Sequence, residues 1–151
     1  MLFGGYYRRP ELTAAAMWGD YFRTGDLGCL DEDGFLYFRG RAKDLVITGG
    51  VNVYPADVEA AVAALPGIKE CAAFAVADDK LGEVVGVALV LEDADSFNMR
   101  ALRVLCAERL ADYQQPRHLF VVAALPKNPM GKIMKFELAR QFSKPAAATQ
   151  R

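Results

Sequence analysis

Two nearly continuous apolar runs, Cys71 to Ala77 and Val84 to Leu91, are separated by six residues that include Asp78-Asp79-Lys80-Leu81-Gly82. A half-wet strand alternates apolar and polar residues. These runs do not, so they read as neighbouring buried strands. Other elements must therefore cover them, and the flanking sequence offers candidates. Pro55 opens a helix at a position where its missing N–H costs nothing. Asp57 and Glu59 sit early in that helix, on the favourable side of its dipole. Val58, Val62 and Leu65 share one face, and Pro66-Gly67 stops it. Ser96 is the expected cap of a second helix running to about Ala111, with Met99, Leu102, Leu105, Cys106 and Leu110 inward. Pro116 breaks the chain, Leu119 to Val122 makes a further strand, and Lys135 to Phe142 makes a last short helix.

Upstream, Leu45-Val46-Ile47 and Val51-Asn52-Val53 flank Thr48-Gly49-Gly50 and read as a small hairpin with a glycine turn. The order from Asp44 is thus β, β, α, β, β, α, β, α, a small α+β domain with helices packed on a sheet. Before it, Cys29-Leu30 and Phe35 to Arg39 flank Asp31-Glu32-Asp33-Gly34, the pattern of a β-hairpin. Glu11 to Met17 is the only stretch near the start with helical character. Ser143 to Arg151 has no pattern and is expected to fray.

A chain of 151 residues, 53% of them hydrophobic, has the size and apolar content of one core. Its 18 Lys and Arg nearly balance 19 Asp and Glu. That balance argues against a non-specific grip on nucleic acid or anionic lipid. No run is long and apolar enough to span a bilayer, and the first residues lack the pattern of a secretory signal, so a cytoplasmic setting is expected. Cys29, Cys71 and Cys106 form no metal or redox spacing and read as buried, reduced thiols. His118 has no second His beside it, and no metal site is expected.

Three stretches carry more Gly, Pro and charge than folding needs. Thr24-Gly25-Asp26 sets an acceptor-only carboxylate on a tight corner, suited to a vicinal diol; three residues alone are equally a plain turn. Gly40-Arg41-Ala42-Lys43-Asp44, followed by Thr48-Gly49-Gly50, admits either a ligand passing close to the backbone or a simple hairpin turn. Leu125-Pro126-Lys127-Asn128-Pro129-Met130-Gly131-Lys132 presents one ammonium on a stiffened loop, either for a developing phosphate or carboxylate charge or for solvent.

In this order and spacing, the three motifs resemble the C-terminal part of the adenylate-forming superfamily, which includes acyl-CoA synthetases, peptide-synthetase adenylation domains and firefly luciferase. The likeness runs from about Gly5 to Phe142. It implies that residues 1–43 are the tail of a large N-terminal domain with the hinge at Lys43, that residues 44–142 are the small C-terminal domain, and that 143–151 are a frayed tail. It implies that Asp26 binds both ribose hydroxyls of ATP or AMP, with Arg41 near the ribose or phosphate. Gly49 and Gly50 would line the passage for the pantetheine arm of CoA. Lys132 would reach the reacting carboxylate and α-phosphate, and Glu59 would be structural. Asn128 and Pro129-Met130 depart from the motif, whose glycine and lysine are kept.

The expected parent reaction is ATP-dependent acyl-CoA synthesis from a small carboxylic acid, as in fatty acid metabolism, with Mg²⁺ screening the phosphates. The family's phosphate-gripping loop and acyl pocket are not encoded here. The chain therefore reads as a fragment, inactive alone, whose partner is its own N-terminal domain. An amino-acid adenylation domain loading a carrier protein, and a non-catalytic binding domain, are the alternatives.

Overall fold

A computed structural model describes residues 3–95 and 97–142. Ser96, the expected helix cap, and the expected frayed tail 143–151 lie outside the described residues. The chain divides into two compact units, Met1–Lys43 and Asp44–Arg151.

The second unit is built on the two apolar runs. They form β7 (Ile68–Asp78) and β8 (Gly82–Leu91), an antiparallel pair in continuous register from Glu70↔Val90 to Asp78↔Gly82, with an irregularity between Ile68 and Glu70. Their lack of alternation has the expected cause, since both faces are covered. On one face α2 (Pro55–Ala63) and α3 (Met99–Arg109) bring Val58, Val62, Leu102 and Cys106 onto Ala73, Val85, Val87 and Leu89. On the other, α4 (Lys135–Phe142) and Leu125 cover Ala72, Phe74, Val76, Val84 and Ala88 with Leu138. Phe120 stacks on Phe142 at 4.1 Å between ring centres, and Phe74 packs against both.

Two further strands share the free edge of β8. The parallel strand β9 (His118–Val121) pairs with Gly86 to Leu89. The hairpin of β5 (Val46–Thr48) and β6 (Val51–Val53) joins through the single pair Thr48↔Gly82. The strand β7 is the opposite edge, and a side chain protects it. The Glu59 carboxylate on α2 accepts the Ala73 N–H at 2.8 Å and the Lys135 ammonium of α4 at 2.6 Å. One carboxylate thus blocks an open ladder position and ties the layers together. Beside it, burial and then the Glu59 charge push the half-buried Cys71 thiol up to about 11, and burial raises Cys106.

The first unit has α1 (Pro10–Ala16), a minimal hairpin of β1 (Met17–Trp18) and β2 (Tyr21–Phe22), and a ribbon of β3 (Asp26–Leu30) and β4 (Leu36–Arg41). The ribbon is longer than its turn signal suggests, reaching back to Asp26 through an irregularity at Leu27/Gly28.

Several expectations need correction. Asn98 caps α3, its side chain accepting the Ala101 N–H at 3.0 Å, so the helix starts later than Ser96 and ends at Arg109. Leu105 is only half-buried. Cys29 is exposed, because a two-stranded ribbon has no second layer of its own to cover it. The 3-10 turn Asp112–Gln114 and the β1–β2 hairpin carry too few residues for periodicity to reveal them.

Candidate functional site

In the first unit the ribbon brings Asp26 and Arg41 together. They are cross-strand partners at its open end. The Arg41 Nε donates to Asp26 Oδ1 at 2.7 Å, and its Nη1 donates to the Thr24 carbonyl at 3.1 Å. The Thr24 hydroxyl accepts the Asp26 N–H at 3.0 Å, and Gly25 takes φ +77° at the corner between them. The Ala42 N–H closes on the Gly25 carbonyl at 2.9 Å. The corner thus presents a carboxylate held from one side, more than a third exposed, with its second oxygen free of hydrogen bonds among the described residues. A carboxylate has about four acceptor sites, so an Arg contact leaves room for two hydroxyl donors. Lys43 follows in a 3-10 turn, Ala42–Asp44, and is the last residue of the first unit.

In the second unit Gly49 and Gly50 form a two-residue hairpin turn between Thr48 and Val51, with φ +56° and +85°. Positive φ at both positions is the mirror-image turn that suits strand twist, and it favours glycine without any ligand. The turn is also anchored. The Gly49 N–H donates to the Leu81 carbonyl at 3.0 Å, and a Cβ on Gly49 would lie 3.3 Å from the Leu81 side chain. A Cβ on Gly50 would meet nothing within 4 Å.

The Lys132 loop is organised by a residue whose role sequence reasoning missed. Asn128 Oδ1 accepts the N–H groups of Met130 at 3.0 Å and Lys132 at 2.9 Å. Its own backbone N–H donates to the Lys132 carbonyl, and its carbonyl accepts the Gly131 N–H, both at 2.9 Å. The signal was present, because Asn readily folds its side chain onto its own following backbone. Lys132 is therefore fixed at its root and exposed at its tip. Neighbouring ammonium groups are occupied: Lys127 pairs with Glu70 and Lys135 with Glu59, each at 2.6 Å. Lys132 forms no ion pair among the described residues.

The two loops stand at opposite ends of the β7–β8 pair. The Gly49–Gly50 turn lies against Leu81 at one end, and the Lys132 loop is tied to Glu70 through Lys127 at the other. Glu70 and Asp78 are eight residues apart on β7, roughly 26 Å at about 3.3 Å per residue.

The sequence profile of the AMP-binding enzyme C-terminal domain matches residues 57–132, about half of the chain. The chain belongs to that family. Its relatives are acyl-CoA ligases of the adenylate-forming superfamily. It is 40% identical to long-chain-fatty-acid–CoA ligase FadD13 of Mycobacterium tuberculosis (strain CDC 1551 / Oshkosh) over 95% of this chain and 28% of that protein. It is 44% identical to 2-succinylbenzoate–CoA ligase of Geobacillus kaustophilus (strain HTA426) over 93% of this chain and 29% of that protein. The crystal structure of ATP-bound MatB from Rhodopseudomonas palustris superposes with a TM-score of 0.86 at 37% identity, covering 94% of this chain and 28% of that one. The chain thus spans under a third of the length of these relatives. No helix among the described residues is long and apolar enough to cross a membrane.

Proposed function

We propose that these residues are the C-terminal part of an ATP-dependent acyl-CoA synthetase working in the cytoplasm, where ATP, CoA and reduced thiols coexist. In the parent reaction a carboxylate oxygen attacks the α-phosphorus of ATP and pyrophosphate leaves. The CoA sulfur then attacks the acyl carbon, its proton passes to solvent, and AMP leaves. Lys132 supplies a fixed-root ammonium to the charge that builds on the carboxylate and α-phosphate in the first step. Asp26 accepts from the ribose hydroxyls, and Arg41 holds that carboxylate and adds positive charge beside it. Lys43 is the pivot. The Gly49–Gly50 turn, bare of side chains, lets pantetheine pass in the second step.

The observation that carries this reading is the separation of the two loops on one rigid sheet. A lysine needed for one chemical step and a glycine turn needed for the other stand at opposite ends of β7 and β8. A single pose could not present both ends to one reacting carbon, which suits a reaction in two steps. Among the described residues no grouping of three or more His, Cys, Asp or Glu could hold a metal ion. The Mg²⁺ expected with ATP would thus draw its ligands from ATP and from residues outside these groups, and the roles proposed for Lys132, Asp26 and Arg41 do not depend on it. A polypeptide of these 151 residues, lacking a phosphate-gripping loop and an acyl pocket, is proposed to be inactive by itself.

The test is Lys132→Ala in the full-length ligase, with the half-reactions followed separately. Removing one charge-stabilising donor costs about 10²–10³-fold in rate. Pyrophosphate release should fall by that factor, while thioester formation from supplied acyl-AMP survives. Equal losses in both steps would sink the assignment. Gly50→Asn probes the second loop, since Asn tolerates positive φ and meets no neighbour there. It should impair thioester formation alone. A normal rate would overturn the placing of the pantetheine passage at this turn.

A further inference from the structure

The proposed pantetheine turn hangs from the sheet by few bonds, and one of them comes from a side chain where a backbone bond would be expected. An antiparallel ladder that starts at Thr48↔Gly82 would next bring Ile47 opposite Glu83. It does not continue. From Val85 onward the same edge of β8 is taken by the other strand, the Arg117 N–H donating to the Val85 carbonyl at 2.9 Å and β9 pairing from Gly86. The strand β5 must leave the edge at this fork. The Ile47 N–H, which the diverging ladder would orphan, donates instead to Glu83 Oε2 at 3.0 Å.

The turn of β5 and β6 is thus held sideways by the Thr48↔Gly82 pair, which the Gly49 N–H makes on the Leu81 carbonyl, and by the Ile47 N–H on Glu83. The surface they dock on is itself set by a carboxylate. Asp78 Oδ1 accepts the N–H groups of Lys80 and Leu81, each at 2.9 Å, which fixes where the Leu81 carbonyl points. We infer that Glu83 is a positioning residue for the thiol-transfer step: its carboxylate takes the Ile47 N–H where β5 leaves the sheet edge and so holds the Gly49–Gly50 turn in place for pantetheine. The inference rests on the reading of that turn as the CoA passage. Glu83 touches no substrate, and its effect reaches CoA only through the backbone of Ile47 to Gly50.

The experiment compares Glu83→Ala, Glu83→Gln and Gly50→Asn in the full-length ligase. Amide hydrogen exchange at Ile47 and Gly49 is read beside the two half-reactions, with CoA as the varied substrate. A hydrogen bond to a charged acceptor is worth about tenfold or more in a local opening equilibrium. In Glu83→Ala, exchange at Ile47 should rise about tenfold, KM for CoA should rise by a similar factor, and adenylation should stay within about twofold. Glu83→Gln keeps an acceptor oxygen and should restore most of both effects. Unchanged exchange in Glu83→Ala overturns the inference. So does a uniform loss in both half-reactions that Gln fails to rescue, which would mark a merely structural role. If Gly50→Asn raises the KM for CoA and Glu83→Ala does not, the passage stands and the positioning role falls. If neither variant affects CoA while exchange at Ile47 rises, the passage reading itself fails and takes the positioning role with it.

Discussion

The two units use similar sequence material to opposite effect. The ribbon of β3 and β4 is rich in aromatic and aliphatic residues, yet Leu30, Phe35, Leu36, Tyr37 and Phe38 are all at least half exposed. No described residue before Asp44 is buried. From Val46 onward two apolar clusters sandwich one sheet, and Phe74, Leu89, Leu102 and Leu138 are almost fully enclosed. The difference is one of layers. An antiparallel ribbon satisfies its own backbone but offers no second surface to bury side chains against. Hydrophobic sequence therefore makes a core only where connections return helices to both faces.

Deleting one ring in each unit would sharpen that contrast most. Phe74→Ala removes a ring packed on Phe120 and Phe142 and should cost about 3–5 kcal/mol in denaturant unfolding of the chain. Phe38→Ala removes a ring that is 68% exposed and should change stability by no more than about 0.5 kcal/mol. Comparable losses would mean that the ribbon is buried in solution and that the contrast is wrong.

The same contrast explains what could be read from sequence. In the second unit β7, β8, α2 and α4 were legible because burial on defined faces imposes a pattern, and the proline and glycine punctuation is local. The hairpin turn at Gly49-Gly50 was legible for the same reason. In the first unit the short helix near Glu11 to Met17, the Thr24-Gly25-Asp26 corner and the Asp-Gly turn were visible. The reach of β3 back to Asp26, which pairs it with Arg41, depends on cross-strand register and not on any periodicity. The parallel pairing of β9, the Glu59 bridge and the Glu83 bond join residues far apart in the chain, so no local pattern could announce them. Asn128 was legible in principle, since its Oδ1 accepts from residues two and four positions on, a local pattern that Asn favours.

In the proposed reading the first unit contributes through Asp26, and there structural and functional costs would separate. The Asp26–Arg41 pair is more than a third exposed on both sides, so solvent screening holds its structural value under about 1 kcal/mol. As an acceptor for two ribose hydroxyls, the carboxylate should be worth more. Asp26→Ala in the full-length ligase should weaken nucleotide binding by about 1.5–3 kcal/mol, with little change in thermal stability. Replacing ATP with its 2′-deoxy form should then hurt the variant much less than the wild type. Equal discrimination by both would show that Asp26 does not read the ribose.

The smallest effect sought is a dependence on pH, and it tests whether the two units unfold separately. Each unit contains the same device, a carboxylate folded back on the N–H groups of its own turn. Asp31 accepts from Phe35 at 2.8 Å and Asp33 at 3.1 Å, and Asp78 accepts from Leu81 and Lys80. The Phe35 N–H foremost holds Asp31 below the ordinary carboxyl value of 3.8, and the Leu81 N–H does the same for Asp78. A carboxyl lowered by folding binds its proton more readily when unfolded. Its contribution is complete above about pH 4 and fades as pH falls through the lowered folded value. As pH falls below about 4 the melting temperature of the second unit should therefore decline, and Asp78→Asn should flatten that decline. Asp31→Asn should leave it unaltered, because its turn belongs to the ribbon. If both variants flatten the same melting curve equally, the two units unfold as one cooperative body, and the division drawn from their cores does not hold in solution.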